Sequence, residues 1–137
     1  MEEIKALFDI YNLQYEQVDK IWNYFGVVSM GIAGFVIGSE KATKSFKEPL
    51  FILIGYLVFT AGNFSALADG QAVLHDLSKN LVELSANHDM VNLSQLKAYS
   101  VAEVAGFYWS TVVAFCAIIV VLSWLRLRPQ ANNTAAK

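Results

Sequence analysis

Charge is what this chain has least of. Only 16% of its 137 residues are Asp, Glu, Lys or Arg, against roughly a quarter in an ordinary soluble domain. No charged side chain occurs from Ile21 to Ser39, from Pro49 to Ala68 or from Val104 to Leu125. Solvating groups are therefore missing wherever the apolar runs lie, which excludes a conventional water-soluble domain. Cysteine is reduced to Cys116, inside the third run, so no intrachain disulfide forms and the redox compartment is not readable; a lone thiol there reads as a small packing residue. The 10 basic residues are not clustered with aromatics, which argues against nucleic acid as a partner.

Catalytic signatures are missing as well. Phosphate-binding glycine loops, CxxC pairs, HExxH and GxSxG do not occur, and the three apolar runs hold no ionisable side chain besides Cys116 and tyrosines. An intramembrane enzyme usually carries acidic, histidine or cysteine residues within its crossings, and a coupled transporter a carboxylate or histidine at membrane depth. The expectation is accordingly no enzyme, no cofactor and no metal. The two histidines, His75 and His88, each precede an aspartate but are thirteen residues apart, too far to converge on one ion as ligands on a helix face do. The start, MEEIKALFD, lacks the positive n-region of a signal peptide, so this segment is expected to be retained.

What is present is helical pattern. The 55% hydrophobic share and the mean hydropathy of +0.41 concentrate in three runs, each about the ~20 residues that carry a helix across a bilayer. Ahead of the first, Ile4, Leu7, Phe8, Tyr11, Tyr15 and Val18 recur at the three- and four-residue spacing of an amphipathic helix, and Glu2 and Glu3 suit a helix N-terminus. The same period continues into Ile21, Trp22 and Phe25, so one helix is expected over about 3–38, its first half outside the hydrocarbon or along the membrane surface. Trp22 and Tyr24 suit the headgroup level.

Pro49 suits the first turn of a second helix. Past Leu67, the residues Leu74, Leu77, Leu81 and Leu84 repeat in heptad fashion, extending that helix to about 86, roughly 57 Å at 1.5 Å per residue. On this reading Ser78 and Ser85 fall on the solvent face. Asn87, His88 and Asp89 mark a turn, Asn92 or Ser94 caps a third helix over about 93–128, and Pro129 ends it. The tail 129–137 is too polar to order itself. The fold class is all-α: a polytopic membrane protein with three transmembrane helices, single-domain over 1–128, the helices extending beyond the bilayer as a bundle.

Two faces of small residues offer close helix packing: Gly31, Gly34 and Gly38 on the first helix, and Gly106, Ser110, Ala114 and Ala117 on the third. Small side chains let backbones approach, which matters because hydrophobic burial does not drive association in lipid. Asn63 is the most conspicuous polar group in a crossing, expected level with Asn23 and near Ser110, either as an interhelical clasp or as part of a polar path. Asp69 and Glu103 stand at the outer ends of the second and third crossings, as solvated boundary residues or as an acidic mouth.

Three lysines, Lys41, Lys44 and Lys47, fill the connector 39–48, and Arg126 and Arg128 follow the third run, whereas 69–103 holds only Lys79 and Lys97. The positive-inside rule then places the connector and the C-terminus in the cytoplasm and the N-terminus and the 69–103 hairpin outside, in a bacterial-type inner membrane. The expected function is helix–helix association: a homo-oligomeric assembly, regulatory or immunity-like partner protein, in contact with lipid and with copies of itself or another membrane protein. The alternative is a homo-oligomeric passive channel with Asn63 and Asn23 lining the path.

Overall fold

The computed structural model describes residues 2–39, 47–86, 93 and 95–134, with side chains to 126. It is an all-α, three-helix bundle: α1 (Glu2–Gly38), α2 (Lys47–Ala86) and α3 (Val101–Thr134). Most of the 39–48 connector, the proposed turn at 87–89 and the candidate caps Asn92 and Ser94 lie outside the described residues.

All three helices are long and apolar enough to cross a membrane. In the most apolar window of each, no more than 22% of the residues are buried within the chain. Large side chains such as Val27, Met30, Phe51 and Val58 are at least 70% exposed. Side chains of that kind in that number turn outward only where the surroundings are themselves apolar.

The buried positions are spaced as a heptad. In α1 they are Ile4, Tyr11, Val18 and Phe25, seven apart, then Ser29 and Val36. In α2 they are Pro49, Tyr56, Thr60 and Leu67, then Gln71, Leu74, Ser78, Leu81 and Ser85; from Leu67 on the steps alternate four and three, which keeps one seam facing its neighbours. The seam is therefore broader than its leucines: Leu74 and Leu81 are buried, Leu77 and Leu84 half-buried. Ser78 and Ser85 are buried and not on a solvent face. Each serine hydroxyl is satisfied on its own helix, Ser78 Oγ donating to His75 O at 2.7 Å and Ser85 Oγ to Val82 O at 2.8 Å, so a serine fits the seam without an orphaned donor.

α3 starts at Val101, not near 93. Leu93 and Leu96 continue an apolar spacing, but the backbone there forms a turn, Leu96 N–H donating to Leu93 O, and 96–100 is not helical. The helix begins where its first amides find a cap: Glu103 N–H donates to Ser100 Oγ at 3.3 Å and Ser100 N–H donates to Glu103 Oε2 at 2.8 Å. That is a reciprocal capping box. At the other end the helix passes through Pro129 to Thr134 and does not stop at the proline.

Contacts divide the chain into two compact units, each helix contributing to both: residues 1–23 with 63–107, and 24–62 with 108–137. In the first unit α1 approaches α2 at Gly70. A Cβ there would meet Val18 Cγ2 at 3.1 Å and the Gln14 amide at 3.3 Å, and Gln14 Nε2 donates to Gly70 O. In the second unit Phe25 and Tyr108 pack at 4.4 Å between ring centres, their planes tilted by 36°, and the buried residues include Val36, Tyr56, Val112 and Ile119.

Candidate functional site

The first unit contains a groove of about 740 Å³, within the range of small-molecule sites. One wall comes from α1, with Tyr11, Tyr15, Asp19 and Trp22. Gln71 and Leu74 of α2 form its floor, and Lys97, Tyr99, Glu103 and Phe107 the opposite side. The α1 aromatics form a ladder, Phe8 to Tyr11 at 6.3 Å and Tyr11 to Tyr15 at 6.5 Å, and Trp22 packs against Phe107 at 5.8 Å. Burial, and then the neighbouring Tyr15, push the Tyr11 phenol above its usual range.

The irregular segment that closes this groove is held by α2. Gln71 Nε2 donates to Tyr99 O at 2.8 Å, and His75 Nδ1 bonds Ala98 O at 3.1 Å. A carbonyl only accepts, so the Nδ1 of His75 carries the proton. His75 is thus a backbone clamp. Glu103 is exposed, and the Ser100 N–H and then the Ser100 hydroxyl (2.8 Å), with smaller help from Lys97 and His75, hold its carboxyl below the usual carboxylate range.

The second unit is tied by hydroxyls. Ser29 Oγ and Tyr56 Oη lie 2.9 Å apart, joining α1 to α2. Tyr108 Oη donates to Thr60 O at 2.8 Å, joining α3 to α2. Thr60 Oγ1 and Ser123 Oγ donate within their own helices, to Leu57 O and Ile119 O. Arg126 reaches across to the end of α1, donating to Val36 O at 2.9 Å, to Ile37 O and to Ser39 O at 3.4 Å. The last carbonyls of a helix have no partner in the helix's own ladder, and a guanidinium is well placed at a helix C-terminus.

The residues singled out from sequence fall as follows. Asn23 is exposed and donates to Asp19 Oδ2 on its own helix at 3.1 Å. Asn63 is half-buried, and Ser110 and Asp69 are exposed. Glu103 is engaged at the start of α3 as described. Gly31, Gly34 and Gly38 are exposed or, with Gly106, have nothing within 4 Å of a built Cβ; Ala114 is exposed too. At about 100° per residue, Gly31, Gly34 and Gly38 lie roughly half a turn from the buried Phe25, Ser29 and Val36, and Gly106, Ser110 and Ala114 roughly half a turn from Val104, Tyr108 and Val112. The glycine that admits a neighbouring helix within the chain is Gly70.

Sequence reasoning passed over Tyr56, Tyr108, Ser29 and Thr60. Their signal was a tyrosine in mid-run, where a hydroxyl in an apolar setting needs a partner. It also passed over the groove, because its walls come from three separate stretches. Among the described residues no three His, Cys, Asp or Glu side chains gather as a metal site does. No protein-family model, no curated protein and no solved structure matches this chain. A functional reading therefore rests on the residues themselves.

Proposed function

We propose that this small all-helical protein is a non-catalytic integral membrane protein that works through helix–helix association, as a homo-oligomer or as the regulatory or immunity-like partner of another membrane protein. The observation that carries the reading is the outward position of both small-residue faces. The chain packs its own helices through one seam and leaves Gly31, Gly34 and Gly38 on one helix, and Gly106, Ser110 and Ala114 on another, exposed, with open space where a Cβ would stand at each of the four glycines. In lipid such faces favour close contact with a second helix.

The charge-free stretches 24–39, 49–62 and 108–125 support placing these segments in the hydrocarbon. Orientation follows the lysine and arginine distribution: connector and C-terminus cytoplasmic, N-terminus and 69–103 outside, in a bacterial-type inner membrane.

The test is energy transfer between donor- and acceptor-labelled copies in liposomes, at several lipid-to-protein ratios. Transfer that persists on dilution and is lost in Gly34→Leu supports homo-association. Random-mixing transfer, in wild type and in membranes holding the native partners, overturns the reading. Ion flux that disappears in Asn63→Leu would replace it with the pore.

A further inference from the structure

The groove of the first unit carries an inference independent of the association reading. Its rim combines aromatic faces with an excess of carboxylate. Tyr99 and Phe107 are 69% and 67% exposed, and with Tyr15 and with Trp22, which packs against Phe107, they line the groove. Aromatic faces attract cations through the negative side of the ring quadrupole. Two carboxylates, Asp19 and Glu103, stand against one ammonium, Lys97, so the rim is net negative by one charge.

Both carboxylates are held in place through one oxygen each. Asn23 grips Asp19 Oδ2, and Ser100 grips Glu103 Oε2 by its amide and hydroxyl. The floor is fixed too: Gln71 is buried and bonded to the Tyr99 carbonyl. Val18, Leu74 and Val104 supply an apolar bed beneath.

We propose that this groove binds an amphiphilic organic cation, a primary or quaternary ammonium on an apolar body. Its charge lies between Asp19, Glu103 and the aromatic faces, and its body lies on Val18, Leu74 and Val104. An anion meets a net negative rim. A neutral apolar molecule gains nothing from the carboxylates and must desolvate them. The same chemistry is available from the amine headgroup of a membrane lipid or from a freely diffusing amphiphilic amine.

The experiment uses the full chain with Trp109→Phe and Trp124→Phe, so that Trp22 is the sole indole, in a neutral detergent. Benzyltrimethylammonium is titrated against benzenesulfonate and benzyl alcohol while Trp22 fluorescence is followed. The expected result is a saturable change with the ammonium alone. It weakens roughly three- to tenfold in Asp19→Asn and in Tyr99→Ala, at unchanged helicity. Lys97→Ala removes the opposing charge and tightens binding, a gain that a merely damaged fold does not produce. An equal response to the sulfonate or the alcohol, no saturation, or a Lys97→Ala variant that binds more weakly overturns the proposal. In vesicles of anionic lipid with and without an ethanolamine lipid, competition by the latter supports a headgroup as the natural ligand, and lack of competition supports a diffusing amine.

Discussion

Arg126 of α3 donates to the Val36 carbonyl of α1 at 2.9 Å, so the end of one helix is closed by a side chain ninety residues further along the chain. Arg126→Ala is expected to lower stability by about 1–2 kcal/mol, the scale of a charge-assisted hydrogen bond in a partly exposed site. Arg126→Lys should recover only part of the loss, because an ammonium lacks the planar fork that spans several carbonyls. Unfolding in mixed micelles measures both.

The Tyr108 hydroxyl and the Thr60 carbonyl give a second test. Tyr108→Phe keeps the ring against Phe25 and deletes only the donor, so the expected cost is about 0.6–2 kcal/mol, the range of interhelical hydrogen bonds in membranes. A double-mutant cycle on Ser29→Ala and Tyr56→Phe should show coupling of similar size. Additive losses would show that the 2.9 Å pair is energetically idle.

The start of α3 should be acid-sensitive. Hydrogen bonds from Ser100 depress the folded pKa of Glu103. Its stabilising contribution is then fully present above the unfolded carboxylate value of about 4.3 and is lost as pH falls through the lower folded value. Amide exchange at 101–104 should accelerate across that window. Glu103→Gln should flatten this dependence, and Ser100→Ala should raise exchange at neutral pH, a cap of this kind being worth about 1 kcal/mol.

Gly70 and Gly34 should respond oppositely to the same substitution. Gly70→Leu drives a side chain into Val18 and Gln14 and should cost about 1–3 kcal/mol of overpacking. Gly34→Leu meets open space and should leave the fold intact. Thermal unfolding of the two variants in detergent makes the comparison.

Much of this fold is legible in the residues. α1 and α2 declare themselves because charge-free runs join amphipathic stretches with no break in period, and each ends where that period ends, at Gly38 and Ala86. The start of α3 is concealed by Leu93 and Leu96, which extend an apolar spacing into a segment with no cap. Ser100-Val-Ala-Glu103, a capping-box pattern that the sequence reading passed over, is where the helix begins. The site was less legible. Asparagines draw the eye as polar groups in lipid, but hydroxyls of Tyr56 and Tyr108, whose rings also serve as packing, join helices as well. Gly70 sits among polar residues and resembles no packing motif. The groove joins residues from 11 to 107 and is visible only in three dimensions.

Orientation can be read with an exposed probe. Asn80→Cys in a Cys116→Ala background is expected to react with an impermeant thiol reagent in intact cells. Labelling only after the cells are broken would reverse the assigned sidedness.

The most direct test of association through the outward glycine face is disulfide cross-linking in native membranes, with Gly34→Cys and Ile37→Cys compared in the Cys116→Ala background. Gly34→Cys is expected to give a cross-linked product efficiently: a dimer of the 15.2 kDa chain if the partner is a copy, a heavier adduct if it is another protein. Ile37→Cys, about a quarter turn from the centre of the Gly31, Gly34 and Gly38 face, should give less. Monomer alone at Gly34→Cys, or equal cross-linking at both positions, would contradict the account.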